Sequence, residues 1–214
     1  MRFPRKSMGA DRHPVIVMRA ITVQPRQPNS AQVEDITWSP RSLLVTGAGP
    51  IGLLAALFGI QRGLEVHVFD RAREGPKPSL VRRLGAVYHD GDLHSLDGLA
   101  PDIIMECTGA PALVSAVMGR SASCGVVCLT GVSATGKWIE VDTGSINRTM
   151  VLENQAVFGT VNANRTHYRA AAEALAKADR GWLAGLISRR VPLASWQEAL
   201  ERRPDDIKVV IEFA

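Results

Sequence analysis

Cysteine is scarce, with only Cys107, Cys124 and Cys128 in 214 residues. Three thiols inside apolar runs build no disulfide framework, so the chain has to hold itself together by core packing, and reduced, buried thiols in a cytoplasmic protein are expected. The Cys124-x-x-x-Cys128 spacing has no histidine or second cysteine pair beside it to complete a zinc site, and Cys-Gly-Val-Val-Cys-Leu-Thr reads instead as a buried strand. Aromatic residues make up 5% of the chain, too few for the stacking platforms that hold single-stranded nucleic acid. With 19 glycines and 12 prolines, the composition is far from the low-complexity or collagen-like range. Long hydrophobic runs are lacking as well. Before residue 40 no apolar core exceeds Val15-Ile16-Val17-Met18, so no secretory signal is expected. The uncharged stretch from Ser42 to Gln61 has the length of a membrane span, but Gly47, Gly49, Pro50, Gly52 and Gly59 divide it into strand, turn and helix.

The formal net charge of +4 is unevenly placed. Arg2, Arg5, Lys6, Arg12, Arg19, Arg26 and Arg41 face only Asp11, Glu34 and Asp35 in the first 41 residues, and basic and acidic groups balance in the rest. A neutral body with a basic leader is no nucleic-acid or membrane surface. From Leu43 onward, short apolar strands alternate with helices. Leu43-Leu44-Val45, Glu65–Phe69, Asp102–Cys107, Gly125–Leu129 and Ala156–Phe158 read as strands, and Ile51–Arg62, Ala110–Met118, Ser145–Asn154 and His167–Lys177 as helices. That alternation predicts an α/β fold, a Rossmann-type parallel sheet doubly wound by helices on both faces. The tail reads as helix, turn, helix and a terminal strand over Ile207–Ile211.

Gly47-Ala48-Gly49-Pro50-Ile51-Gly52 follows the first strand and opens the first helix, the setting a dinucleotide fingerprint requires. Gly47 permits a tight turn, Gly49 lets backbone approach a pyrophosphate, and Gly52 allows close packing of helix on strand. Pro50 suits the first helical turn, where its missing N–H is not needed. Asp70, at the end of the next strand, is placed to accept hydrogen bonds from both ribose hydroxyls, which favours NAD. Arg71 and Arg73 beside it suit the extra phosphate of NADP, so both cofactors remain open. Two other readings also remain: Asp70 as a turn cap, and the glycine turn with its acidic strand end as a methyltransferase site. Thr108-Gly109 and Thr130-Gly131-Val132 end two further strands toward the same crevice, as does Thr160-Val161-Asn162. Ligands of open α/β sheets bind there.

The segments Val45–Gly52, Glu106–Gly109, Asn147–Asn154, Gly159–Asn164 and Asp206–Phe213 resemble the zinc-dependent medium-chain dehydrogenases, in the glucose (aldose) 1-dehydrogenase branch. The resemblance implies an oxidoreductase that passes hydride from a sugar or polyol hydroxyl to NAD or NADP, usually as a homo-oligomer. It also implies that Pro50, Ile51, Gly52, Leu53, Asp70, Arg71, Thr130, Gly131, Val132, Thr160, Val161 and Asn162 line the cofactor. Intact members place a zinc-binding catalytic domain of GroES-like fold first. Here no cysteine precedes Cys107 and no His-Glu pair occurs, so the zinc ligands of the family are missing and turnover by this chain alone is doubtful. No catalytic residue stands out from the sequence.

Met18–Pro25 and Pro28–Ser30 resemble the family's first strand, and the likeness then jumps to the nucleotide domain between about Ile36 and Arg41. The expected organisation is a disordered extension over residues 1–17, a remnant strand and linker over 18–40, a dinucleotide-binding domain over 41–180, and a C-terminal segment over 181–214. That last segment returns to the catalytic domain in intact members; here its final strand is expected to pair with the N-terminal one. A non-catalytic NAD(P)-binding module and a deletion remnant are the alternatives to an enzyme.

Overall fold

In β1 (Ser42–Thr46) the run from Leu43 to Thr46 is buried throughout, the pattern of a parallel strand covered on both faces. It lies between β2 (Glu65–Phe69) and β4 (Ile103–Glu106), the other strands of the sheet being β3 (Val87–His89), β5 (Val126–Leu129) and β6 (Ala156–Gly159). The order is β3-β2-β1-β4-β5-β6, parallel at every pairing. This computed structural model describes residues 38–136 and 138–213. The expected extension (1–17) and nearly all of the expected remnant strand and linker (18–40) lie outside the described residues.

Alternate side chains of β1 and β4 enter different cores. On one face Leu43, Val45, Ile103 and Met105 pack with α1 (Pro50–Gln61), α2 (Pro76–Arg83), α5 (Arg165–Ala176) and α6 (Arg180–Gly185). On the other, Leu44, Phe69, Ile104 and Val127 meet Leu96 of a short 3-10 helix (Leu93–Leu96) and Val117 of α3 (Pro111–Val117). Helix α1 has no polar face: Gly52 to Gly59 are all buried, as in a helix enclosed by its neighbours. At Gly59 an added Cβ would fall 2.6 Å from Leu43 Cδ2 and 2.8 Å from Val66 Cγ2, so glycine sets how closely α1 lies on the sheet. Trp182 of α6, 2% exposed, donates its indole N–H to the Leu80 carbonyl at 2.9 Å and joins α6 to α2. The helix between β5 and β6, α4 (Thr143–Leu152), buries no residue.

The start of the sheet is clamped by Asp102. One carboxylate oxygen accepts from Arg41 N at 2.7 Å, Ser42 N at 2.9 Å and Ser42 Oγ at 2.9 Å, tying the first residues of β1 to β4. Burial raises the carboxyl pKa, but these hydrogen bonds and the nearby Arg41 charge outweigh it and hold it below its ordinary value.

The tail differs from its sequence reading. Residues expected as helix up to Ile187 split into α6 and a strand β7 (Ile187–Pro192), and Leu193–Leu200 is a 3-10 segment. The final strand β8 (Lys208–Glu212) pairs with β7, in parallel. Its expected partner, the N-terminal strand, lies outside the described residues. Arg189 binds the unit together: Nε and Nη2 reach the Asp206 carboxylate at 3.2 and 2.8 Å, and the guanidinium also donates to the carbonyls of Glu198 and Glu201. The Arg189 hydrogen bonds, with help from Arg203 N, bring the Asp206 carboxyl down to about 2. The cysteines also need correction. Cys128 is buried, but Cys107 is only partly so, and Cys124 is exposed in a turn at φ 59°, outside the strand.

Candidate functional site

The glycine turn between β1 and α1 is built from three glycines that meet different surroundings. Gly47 takes φ +96°, and a Cβ there would lie 2.7 Å from Thr108 Cγ2. At Gly52 a Cβ would stand 1.7 Å from the Gly47 carbonyl oxygen, so only glycine lets α1 begin so near the strand. Around Gly49 nothing lies within 4 Å of the position a Cβ would take. The fold itself therefore demands Gly47 and Gly52, while Gly49 opens on empty space at the helix N-terminus. Pro50 is the first residue of the helix, and Ile51 and Gly52 carry amides for which an α-helix supplies no internal acceptor. Such an end, with its positive dipole, is a place for a phosphate. Leu53 is fully buried on the core side, where it anchors the helix.

The loops after β4 and β5 form the opposite wall, and a buried carboxylate organises them. Glu106, 0% exposed at the end of β4, accepts from Thr108 N at 2.8 Å, Gly109 N at 3.1 Å, Thr46 Oγ1 at 3.4 Å and the Thr108 hydroxyl. The Glu106 carbonyl accepts from Thr130 N, Thr130 Oγ1 and Gly131 N at 2.8, 2.9 and 3.0 Å. Two glycines then lie back to back: a Cβ on Gly131 would sit 2.1 Å from Gly109 N, and one on Gly109 would sit 2.6 Å from the Val132 carbonyl. Thr160 N donates to the Leu129 carbonyl at 3.1 Å, which sets the next strand end beside them. Val132 and Val161 are exposed along this wall.

Asp70 directly follows β2, and its carboxylate is occupied by the chain itself. Oδ2 accepts from Ala48 N at 2.7 Å and Oδ1 from Ala72 N at 3.0 Å, so the carboxylate caps the glycine turn and its own loop. Arg71 is exposed next to it. The sequence-predicted residues thus come together at the carboxyl ends of β1, β2, β4, β5 and β6, except Leu53, expected to line the cofactor but held in the core with its amide bonded to the Gly49 carbonyl. Glu106, and Lys77 with its ammonium 3.7 Å from Asp70 Oδ1, were missed. A charged residue ending the apolar run Ile103-Ile104-Met105 was the available signal for the first; nothing in the sequence pointed to the second. Burial, with the Glu106 charge adding to it, pushes the Cys107 thiol up to about 12 against the hydrogen bond with Thr130.

Zinc does not fit the residues present. Among the described residues no three His, Cys, Asp or Glu side chains gather as a ligand set. A dinucleotide does fit the space left by Gly49.

The chain matches the glucose dehydrogenase C-terminus family over residues 16–213. A glucose 1-dehydrogenase of Methanocella arvoryzae is 38% identical over 189 residues, covering 84% of this chain and 53% of the relative. A crystal structure of Haloferax mediterranei glucose dehydrogenase in complex with NADP, Zn and gluconolactone superposes with a TM-score of 0.74 at 31% identity, over 83% of this chain and 52% of that one. An alcohol dehydrogenase of Thermotoga maritima shares the fold at 20% identity, with a TM-score of 0.71 over 92% of this chain and 54% of that one. The chain spans about half the length of the relatives it matches. With its six-stranded parallel sheet and glycine turn, this chain belongs to the glucose dehydrogenase C-terminal family, the nucleotide-binding half of those enzymes.

Proposed function

We propose that the chain binds a nicotinamide dinucleotide, NAD or NADP, along the carboxyl edge of the sheet, as the cofactor-holding part of a glucose 1-dehydrogenase-like oxidoreductase. The observation that carries this reading is the contrast within the glycine turn: Gly47 and Gly52 are closed in by the chain's own atoms, and Gly49 faces open space. In this reading the α1 amides of Ile51 and Gly52 hold the pyrophosphate, and Asp70 and Arg71 flank the adenosine ribose. Thr108 and Gly109 form the wall at the middle of the crevice. Thr130, Gly131, Val132, Thr160, Val161 and Asn162 line the nicotinamide end, with Val132 and Val161 offering apolar surface to the ring. When bound, the nicotinamide supplies the hydride chemistry. A sugar or polyol is the substrate class of that reading.

The described residues supply no Lewis acid to polarise a substrate hydroxyl, a contribution of several kcal/mol where a metal is present, so glucose oxidation by this chain alone is expected to be weak or absent. The second reading, a non-catalytic NAD(P)-binding module or a deletion remnant, draws on that missing ligand set. Family membership favours either over a methyltransferase. Titration of the purified chain with NADH and NADPH, followed by nicotinamide fluorescence, is expected to show saturable binding without zinc-dependent glucose turnover. Turnover with added zinc would sink the inactive reading; no binding to a folded chain would leave the remnant. The reading includes a homo-oligomer, supported by the exposure of Trp138 (95%), Val151 and Leu152, and a cytoplasmic setting, supported by the scarcity of cysteine in the sequence. No helix among the described residues is long and apolar enough to cross a membrane.

A further inference from the structure

The carboxylate at the end of β2 has a cationic partner. Asp70 Oδ1 lies 3.7 Å from the Lys77 ammonium, and both side chains are only 15% exposed. Lys77 reaches it from the first turn of α2, directly after the loop that carries Arg71 and Arg73. A bare carboxylate repels a phosphate across a few ångströms. A largely buried ammonium 3.7 Å from the carboxylate offsets part of that repulsion, the more so the closer the phosphate comes to the ammonium. Of the charges on this strand end and loop, Arg71, Arg73 and Lys77 are positive, and Asp70 and Glu74 negative. The Asp205 carboxylate also lies against Gly75 of this loop, so without Lys77 the balance would be negative. The amides of Ala48 and Ala72 further disperse the Asp70 charge.

We propose that Lys77 is a specificity-determining residue of the dinucleotide site. By offsetting the Asp70 charge it opens the end of β2 to a 2′-phosphate, so that the chain takes NADPH at least as tightly as NADH. The inference rests on the crevice being a dinucleotide site. Its test is a fluorescence titration of the full chain with NADPH and with NADH, for the wild type, Lys77→Gln and Lys77→Arg, each checked for a cooperative melt. The wild type is expected to favour NADPH or bind both equally. Lys77→Gln is expected to lower the NADPH-to-NADH affinity ratio about tenfold, while Lys77→Arg keeps it because the charge is retained. A wild type that favours NADH strongly, or an unchanged ratio in Lys77→Gln with both dinucleotides bound, overturns the role of Lys77 and leaves the dinucleotide site standing. Failure of a folded wild type to bind either dinucleotide overturns the site itself and this inference with it. Should Lys77→Gln not fold, Lys77→Met, which also removes the charge but keeps an apolar stem, carries the test: it is expected to lower the ratio about tenfold, and an unchanged ratio there is equally fatal.

Discussion

Two glycines three residues apart show how far a residue type can be read without coordinates. Both were legible in the spacing of the turn, which assigns Gly52 to helix packing and Gly49 to the approach of a pyrophosphate but gives no distances. The atoms around them separate fold from function. An alanine at Gly52 needs the Gly47 carbonyl, 1.7 Å away, to move, and overpacking of that kind costs about 1–3 kcal/mol or more. An alanine at Gly49 meets no protein atom. Thermal melting with dinucleotide titration is therefore expected to show Gly52→Ala destabilised, and Gly49→Ala folded as the wild type but weakened in binding. Equal melting temperatures for the two would contradict the packing. Asp70 was legible as a carboxylate at the right strand end. Its capping of turn amides was among the open readings; its pairing with Lys77 was not, because an ion pair across seven residues of loop and helix start leaves no periodic trace.

The strands and helices most readily found were those with strong apolar patterns, β1, β2, β4, β5 and α1. The stretch between Asp70 and Asp102 went unread. It holds α2, an eight-residue helix containing two prolines and three basic residues, and β3, a strand of three residues; neither carries enough apolar repeat to announce itself. Their fold is decided by what they lie against. The β2–β3 pair has a pH-dependent joint, where His67 Nδ1 and His89 Nε2 stand 2.9 Å apart and His67 Nε2 faces Glu65 Oε1 at 3.2 Å. Burial, and then the His67 charge, lower the pKa of His89 below its ordinary value. The unfolded chain then binds more protons at that residue than the folded one, so stability is full above about pH 6.5 and declines as the pH falls below it. Urea denaturation at neutral pH and at successively lower pH is expected to show this decline, and a His89→Gln variant to flatten it. An identical slope in the variant would place the acid sensitivity elsewhere.

For the whole molecule, the order β3-β2-β1-β4-β5-β6 puts the glycine turn at the centre of the sheet, where chain from both halves converges on one crevice. A dinucleotide spanning that edge binds the folded chain alone, and at about a hundredfold excess over Kd it is expected to add about 2.7 kcal/mol of stability. A rise in melting temperature with NADPH or NADH, and none with adenine alone at equal concentration, checks this. The parallel-sheet class could be read from the alternation of elements, while the pairing of β7 with β8 could not, since two short strands in the tail have several possible partners. The central position of β1 also sets an order of events in time. Its register with β2 joins Leu43 to Val66, but its register with β4 joins Leu43 to Ile103. On a ribosome, β1, β2 and β3 are all synthesised before Ile103 exists. The growing chain therefore carries an apolar strand, buried from Leu43 to Thr46 in the finished fold, with one bare edge until β4 arrives, and any pause in translation between Asp90 and Asp102 prolongs the interval in which a foreign strand can take that place.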